Sequence, residues 1–398
     1  MTKTILVLMF FVSTISHSQI VNIPDPIFKS MLLANVNDIN TNGDDQIQIS
    51  EAEATLSVEL NIGPGSTNKI ETLQGIEYFV NLHSLEFQNH SVESLDVTMI
   101  ASLNHLVCDG NEMNTLNVAG LSNLVHLWIM RNNISVLDLT GLDNLEWLWT
   151  DDNPITELDI SNLTNLDYMW CNSNNLAELD FLPLHNVTRI RCGDNHIDKL
   201  EVNHLFGLTE LLCEENVIAS IDLNGLAALT MFNISDNLIS HLDVRQAGVR
   251  HLLSSDNPNL THIIASNGVV SLPNQFDFNN LPQLEYICID SGEEAAVTSS
   301  GYNPLAAVVL GTDCSLSVYE NSIGASVNIV PNPVLNSADI LSNFYGDSFY
   351  IYDVSGKRLL SSEDEAATEA IIESLPSGLY LLTVYNGNTP IRLKFIKN

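Results

Sequence analysis

The sequence predicts a mainly β protein. Its central part is a solenoid of short parallel strands with an irregular, 3-10-like convex side, preceded by a small helical cap and followed by an antiparallel β-sandwich. Three observations carry this prediction. Apolar residues recur with one period through the middle of the chain, they alternate within each period as strand residues do, and the period ends near residue 325, where longer alternating runs begin. At 398 residues the chain is long enough for two or three domains.

From Leu103, apolar residues follow at Leu106, Cys108, Met113, Leu116 and Val118, with Asn111 between them. The motif restarts at Leu124, Leu145, Leu166, Val187, Leu208 and Leu229, each 21 residues on; Leu82 begins an earlier copy and Val249 a later one after a shorter step. A unit this small cannot bury its own apolar face, so copies must stack around a continuous core. The pattern LxxLxLxxNxIxxL resembles the leucine-rich repeat of the short, bacterial, internalin-like class. Its LxxLxL portion has the period of two that puts leucines inward and their neighbours outward on a strand.

Stacking turns each repeat position into a column. Asn111, Asn132, Asn153, Asn174, Asn195, Asn216, Asn237 and Asn257 form one, with His90 in the first copy. A buried turn leaves backbone donors and acceptors that a side-chain amide can satisfy, so this column is structural. Cys108, Cys171, Cys192 and Cys213 share the slot that holds Ile129, Thr150 or Ile234 elsewhere, and read as core residues. Cys288 and Cys314 lie beyond this register; in an exported protein they are a candidate disulfide sealing the end of the array.

Residues 1–18 carry Lys3, an apolar run from Ile5 to Val12, and small residues Ser16 and Ser18 before Gln19: a secretory signal peptide, too short to span a bilayer. No later segment has the length of a transmembrane helix. A net charge of −35 argues against nucleic acid, whose phosphates need a basic face. Part of the acid falls in one convex row, Asp96, Asp138, Asp159, Asp180, Asp222 and Asp243, which reads as a solvated face with weak cation binding as the alternative.

Residues 19–60 read as the helical cap. Asp25 caps a helix through Asn35 with Pro26 in its first turn, and a second helix-compatible run extends from Glu51 to Leu60. Between them, Asn40, Asn42, Asp44, Gln46 and Glu51 resemble an EF-hand loop, which implies a calcium site. Asn40 stands where the first aspartate is usual and Asp45 where glycine is usual, so a metal-free cap is the other reading.

Residues 61–290 are the solenoid and 291–324 its cap and linker. From residue 325 the runs Ser348–Tyr352, Leu379–Tyr385 and Ile391–Ile396 read as strands, with Ser355-Gly356 and Asn386-Gly387 as turn pairs. The tail resembles the type A C-terminal sorting domain of the type IX secretion system. The matching residues, in order, are Pro331, Asn332 and Pro333; Ile351, Tyr352 and Asp353; Gly356 and Lys357; Gly378 and Tyr380; and Lys394 to Lys397. The resemblance implies export by that machinery across the outer membrane of a Gram-negative cell, with release or attachment at the outer surface.

The concave sheet is where recognition is expected. Its outward positions collect all four tryptophans, Trp128, Trp147, Trp149 and Trp170, beside Tyr168, Arg189 and Arg191. Outward Trp, Tyr and Arg have the composition of a binding hot spot for an extracellular protein or glycan. The competing reading is a ladder that only stabilises the sheet, in a spacer protein without a specific ligand. Catalysis has little support, for GxSxG, HExxH and phosphate-cradling glycine loops are all missing. Asp151 and Asp152 beside Trp149, and the neighbouring pair His105 and His126, read as surface residues.

Overall fold

The computed structural model describes residues 19–34, 39–299 and 309–311, and in the tail 348–353, 358–362, 372, 374–376, 378–386 and 389–397. The signal segment and the tail residues Pro331, Asn332, Pro333 and Gly356 lie outside these. The chain divides into two compact units, residues 1–313 and Cys314–Asn398.

The first unit is the solenoid. Eleven parallel strands, from Ser57–Glu59 to Phe276–Asp277, form the concave sheet, one from each coil. The central residue of each strand points inward: Leu85, Leu106, Leu127, Leu148, Met169, Ile190, Leu211, Phe232 and Leu252 are fully buried. The sheet begins one coil earlier than the leucine pattern shows. The second helix stops at Ala54 rather than Leu60, because Val58 is buried in the first strand of the sheet, which pairs with Ser84–Glu86. The first helix spans Pro26–Leu33. The convex side is mostly turns, with one two-stranded parallel sheet near its start and a four-stranded one near its end.

Each asparagine of the column joins two coils. The Asn153 amide donates to Ile129 O at 2.9 Å, Thr150 O at 3.1 Å and Asp151 O at 3.2 Å, and its oxygen accepts from Ile134 N at 3.0 Å. In the first copy His90 does the same work: Nδ1 accepts from Ile70 N at 3.0 Å, which leaves the Nε2 proton for Leu60 O at 2.6 Å. The residue before each asparagine has a left-handed backbone, as at Arg131 (φ 54°), Asp152 (55°) and Glu215 (53°). The shortened coil before Asn257 closes tightly at Gly248, where a Cβ would sit 2.3 Å from Ala227 O.

The convex aspartates do more than face solvent. Asp138, Asp159, Asp180, Asp222 and Asp243 each accept the backbone N–H two residues on, closing the turn that follows; Asp96 also takes the Thr98 hydroxyl. Side-chain turns of this kind favour Asp at that position. Cys108, Cys171, Cys192 and Cys213 are buried free thiols, as the core reading expects. Cys288 is disulfide-bonded; Cys314, its expected partner, lies outside the described residues.

The second unit contains a four-stranded antiparallel sheet in the order Arg358–Ser362, Ser348–Asp353, Gly378–Asn386, Thr389–Lys397. Gly378 pairs with Lys397 and Leu381 with Lys394, while the Tyr380 hydroxyl donates to Pro376 O at 2.8 Å.

The cap is held by its own polar groups. Asp25 caps the first helix through Ile27 N and Phe28 N, and its other oxygen takes Glu71 N and Thr72 N from the first coil. In the EF-hand-like loop, Glu51 accepts from Thr41 N, Thr41 Oγ1 and Gln48 N at 2.8, 2.8 and 3.0 Å. Asp44 accepts from Gln46 N, Gln48 Nε2 and Asn42 Nδ2, while the oxygens of Asn40, Asn42 and Gln46 accept from Gly43 N, Asp44 N and Lys29 Nζ. All five side chains accept protein donors, so the loop is closed by its own hydrogen bonds, and Glu51 serves as the third residue of a capping box; of the two readings we propose the metal-free cap. Chelation by EGTA is therefore expected to leave the melting temperature unchanged, whereas Glu51→Gln lowers it. A rise in melting temperature on adding calcium would contradict this assignment.

Candidate functional site on the concave sheet

The parallel register brings the outward residues into two columns. Val107, Trp128, Trp149, Trp170 and Arg191 are successive partners in one; His105, His126, Trp147, Tyr168 and Arg189 are successive partners in the other. All seven residues expected to bind a ligand thus share one patch.

In the first column the indoles lie face to face. Trp128 and Trp149 have ring centroids 4.1 Å apart and planes 9° from parallel; Trp149 and Trp170 are 4.2 Å apart at 3°. The Arg191 guanidinium covers the last ring at 4.2 Å, and Arg191 Nε donates to Glu210 at 2.6 Å. In the second column Trp147 and Tyr168 stack at 5.2 Å and Arg189 covers Tyr168 at 5.0 Å. The columns also touch, since Trp147 lies nearly parallel to Trp149 at 6.2 Å. Contacts of this geometry add about 0.5–1.5 kcal/mol each beyond burial.

The stack carries a penalty. The indole N–H groups of Trp128, Trp149 and Trp170 are buried without an acceptor among the described residues, and a buried unsatisfied donor costs about 1–3 kcal/mol. Phenylalanine would stack without that cost.

Beside the indoles runs a third column, singled out in the sequence only at Asp151. Asp109 accepts from Met130 N at 2.8 Å and Gln88 Nε2 at 2.9 Å; Asp151 accepts from Asn172 N at 3.2 Å; the Asn172 oxygen accepts from Gly193 N at 2.8 Å. These carboxylates knit the coils together rather than face a ligand. Burial pushes the carboxyl pKa of Asp109, Asp151 and Glu214 above the ordinary range, against the hydrogen bonds that lower it. Asp151 is held by Asn172 and Asp152 is exposed in the left-handed turn.

At the other end, His105 and His126 approach through their Nδ1 atoms at 3.2 Å, a hydrogen bond that needs one of the two unprotonated, and His105 Nε2 lies 3.5 Å from Glu86. Burial, then the neighbouring His105, lowers the His126 pKa. No group of three or more His, Cys, Asp or Glu side chains is placed to hold a metal among the described residues.

With this geometry in place, comparison with known proteins addresses the tail first. Residues 328–398 match the family model described as a secretion system C-terminal sorting domain. The tail is a type IX secretion sorting domain. That domain implies handling by the secretion machinery and export to the cell surface or beyond. No helix among the described residues is long and apolar enough to cross a membrane.

Among solved structures, the chain is similar to the functional domain of InlJ from Listeria monocytogenes, described as including a cysteine ladder, at 20% identity over 96% of this chain and 98% of that one, with a TM-score of 0.49. It is also similar to the internalin InlF of the same organism, at 17% identity over 75% and 99% of the two chains and a TM-score of 0.41. A Leptospira interrogans leucine-rich repeat protein is similar at 16% identity over 59% and 68%, with a TM-score of 0.34. No curated protein matches the chain.

The buried acids give a pH test. A carboxyl whose folded pKa is raised stabilises the fold below its unfolded pKa, and that contribution is lost as pH rises through the folded value. Asp151→Asn/Glu214→Gln is thus expected to melt above the parent near neutrality, the gap closing toward about pH 4. A parent that gains on the variant as pH rises would oppose the assignment.

Proposed function

We propose that the chain is an exported leucine-rich repeat protein of a Gram-negative bacterium that binds an extracellular protein or glycan through Trp128, Trp147, Trp149, Trp170, Tyr168, Arg189 and Arg191. The observation that carries this reading is the run of three stacked indoles on successive strands, each with its N–H group buried without an acceptor among the described residues. Stabilising a spacer does not call for them. A rigid apolar stripe in a solvent-facing concave surface does, because recognition needs large, pre-ordered side chains. The sorting domain supplies the route: its strands carry Gly378, Tyr380, Lys394 and Lys397, and the type IX machinery is the partner that reads the tail.

Two arms test the proposal in the native host. Full-length protein is expected outside the cell by fractionation, and a variant lacking residues 328–398 inside it; equal export of both would sink the delivery half. Purified protein is expected to give at least one ligand in a screen of surface proteins and glycans, with binding lost in Trp147→Ala/Tyr168→Ala while that variant keeps the parent's circular dichroism and a cooperative melt. A ligand retained by that variant would move the site off the concave patch, and silence throughout would favour the spacer.

A further inference from the structure

The two columns present ring edges, not ring faces. In the first, Trp149 is covered on both faces by Trp128 and Trp170, and Trp170 is closed on its far side by Arg191. The outer face of Trp128 meets the His105 ring at 5.4 Å in a T-shaped contact. In the second, Trp147 lies between His126, at 4.6 Å, and Tyr168, at 5.2 Å, and Tyr168 is closed by Arg189. A sugar that stacks on an aromatic side chain lays its C–H face on the flat of a ring, and every flat here is taken. What remains outward is a ridge of aromatic C–H edges. Edges carry the positive part of the ring quadrupole, so they favour carbonyl oxygens, the faces of incoming aromatic rings and aliphatic groups. A polypeptide supplies all three.

The charges on the patch point the same way. Arg191 is neutralised by Glu210, but Arg189 is exposed and has no ion-pair partner among the described residues. Its guanidinium carbon lies over the Tyr168 ring at 5.0 Å, and its exposed N–H groups can take a bidentate acceptor. The acid in register with Arg189 on the next strand is Glu210, but its Oε1 is taken by Arg191 Nε at 2.6 Å; two coils away, Asp151 is turned into the sheet's own hydrogen bonds. In a chain of net charge −35, a guanidinium left unpaired beside an apolar ridge is a specific cue for a carboxylate. The columns run along the coil axis at about 4.8 Å per coil, so the stretch from His105 to Arg189 is about 19 Å long, the span of about six residues of extended chain.

We infer that the occupant of this face is an extended polypeptide segment that seats apolar side chains on the Trp147 and Tyr168 edges and places a carboxylate on Arg189. This inference rests on the reading of the concave patch as a recognition surface and names the class of ligand it takes.

The test uses full-length protein with two probes, a displayed library of random dodecapeptides and a panel of neutral and uronic-acid oligosaccharides. Peptides with an aromatic or aliphatic residue close to Asp or Glu are expected to be selected. Their binding should weaken about ten-fold or more in Arg189→Glu and less in Arg189→Gln. Lys199→Glu, the same charge change on the convex side, should bind as the parent does. Peptides without acidic enrichment, or binding indifferent to Arg189→Glu, overturn the inference. Oligosaccharide binding lost in Trp147→Ala overturns it too, while leaving the patch as a recognition surface. Peptide binding indifferent to both Arg189→Glu and Trp147→Ala, or silence of both probes, overturns the inference and the reading beneath it together.

Discussion

The structure depends on how the turn after each concave strand satisfies its backbone. Every coil buries N–H and C=O groups there that water cannot reach, and such groups must find partners. One side-chain amide per coil supplies them, donating within its own coil and to the coil before, and accepting from the coil before. Because each link reaches across exactly one coil boundary in the same way, the spacing between asparagines is the spacing between coils. Where a coil is one residue shorter, Asn257 still makes the same links to Ile234 O and Ile239 N, and the lost residue is absorbed on the other side at Gly248. His90 shows that the demand is for a donor and an acceptor at one point, not for asparagine itself.

Constant register has a consequence on the opposite surface of the sheet. Side chains at equivalent positions fall about 4.8 Å apart, a little more than the thickness of an aromatic ring, so tryptophans on successive coils stack. The columns break local rules in return: indole N–H groups go unpartnered, carboxyls are buried and driven toward neutrality, and residues such as Arg131 and Glu215 hold a left-handed backbone. The left-handed turns recur along the whole array and belong to the architecture. The unpartnered indoles occur only in the aromatic patch, where departures from local consistency mark a surface shaped for recognition.

Much of this was legible in the sequence, because periodicity determines columns. The spacing of Leu103, Leu124 and Leu145 predicted the solenoid, the asparagines their own role, and the alternation the convergence of Trp128, Trp149 and Trp170. Other features were not legible, each for a physical reason. Whether stacked rings offer faces or edges depends on side-chain torsions that period does not set. The strand at Ser57–Glu59 lacks the leucine signature and follows the second helix within three residues, so it read as an extension of that helix. The EF-hand-like wording left a cap and a calcium site as alternatives, because capping and turn chemistry uses the same Asn, Asp and Glu side chains as calcium does. The convex aspartates read as solvated surface because a turn-closing carboxylate and a free one look alike in sequence.

The central claim is that the asparagine column holds the register that closes the indole stack. The most direct measurement compares Asn153→Ala with the parent and with Asn165→Ala, an exposed asparagine of the same repeat, by chemical unfolding and by acrylamide quenching of tryptophan fluorescence. The account predicts that Asn153→Ala lowers the unfolding free energy by about 2–4 kcal/mol and makes the indoles more accessible to quencher, with Asn165→Ala close to the parent in both. An Asn153→Ala protein with the parent's stability and the parent's quenching would contradict it.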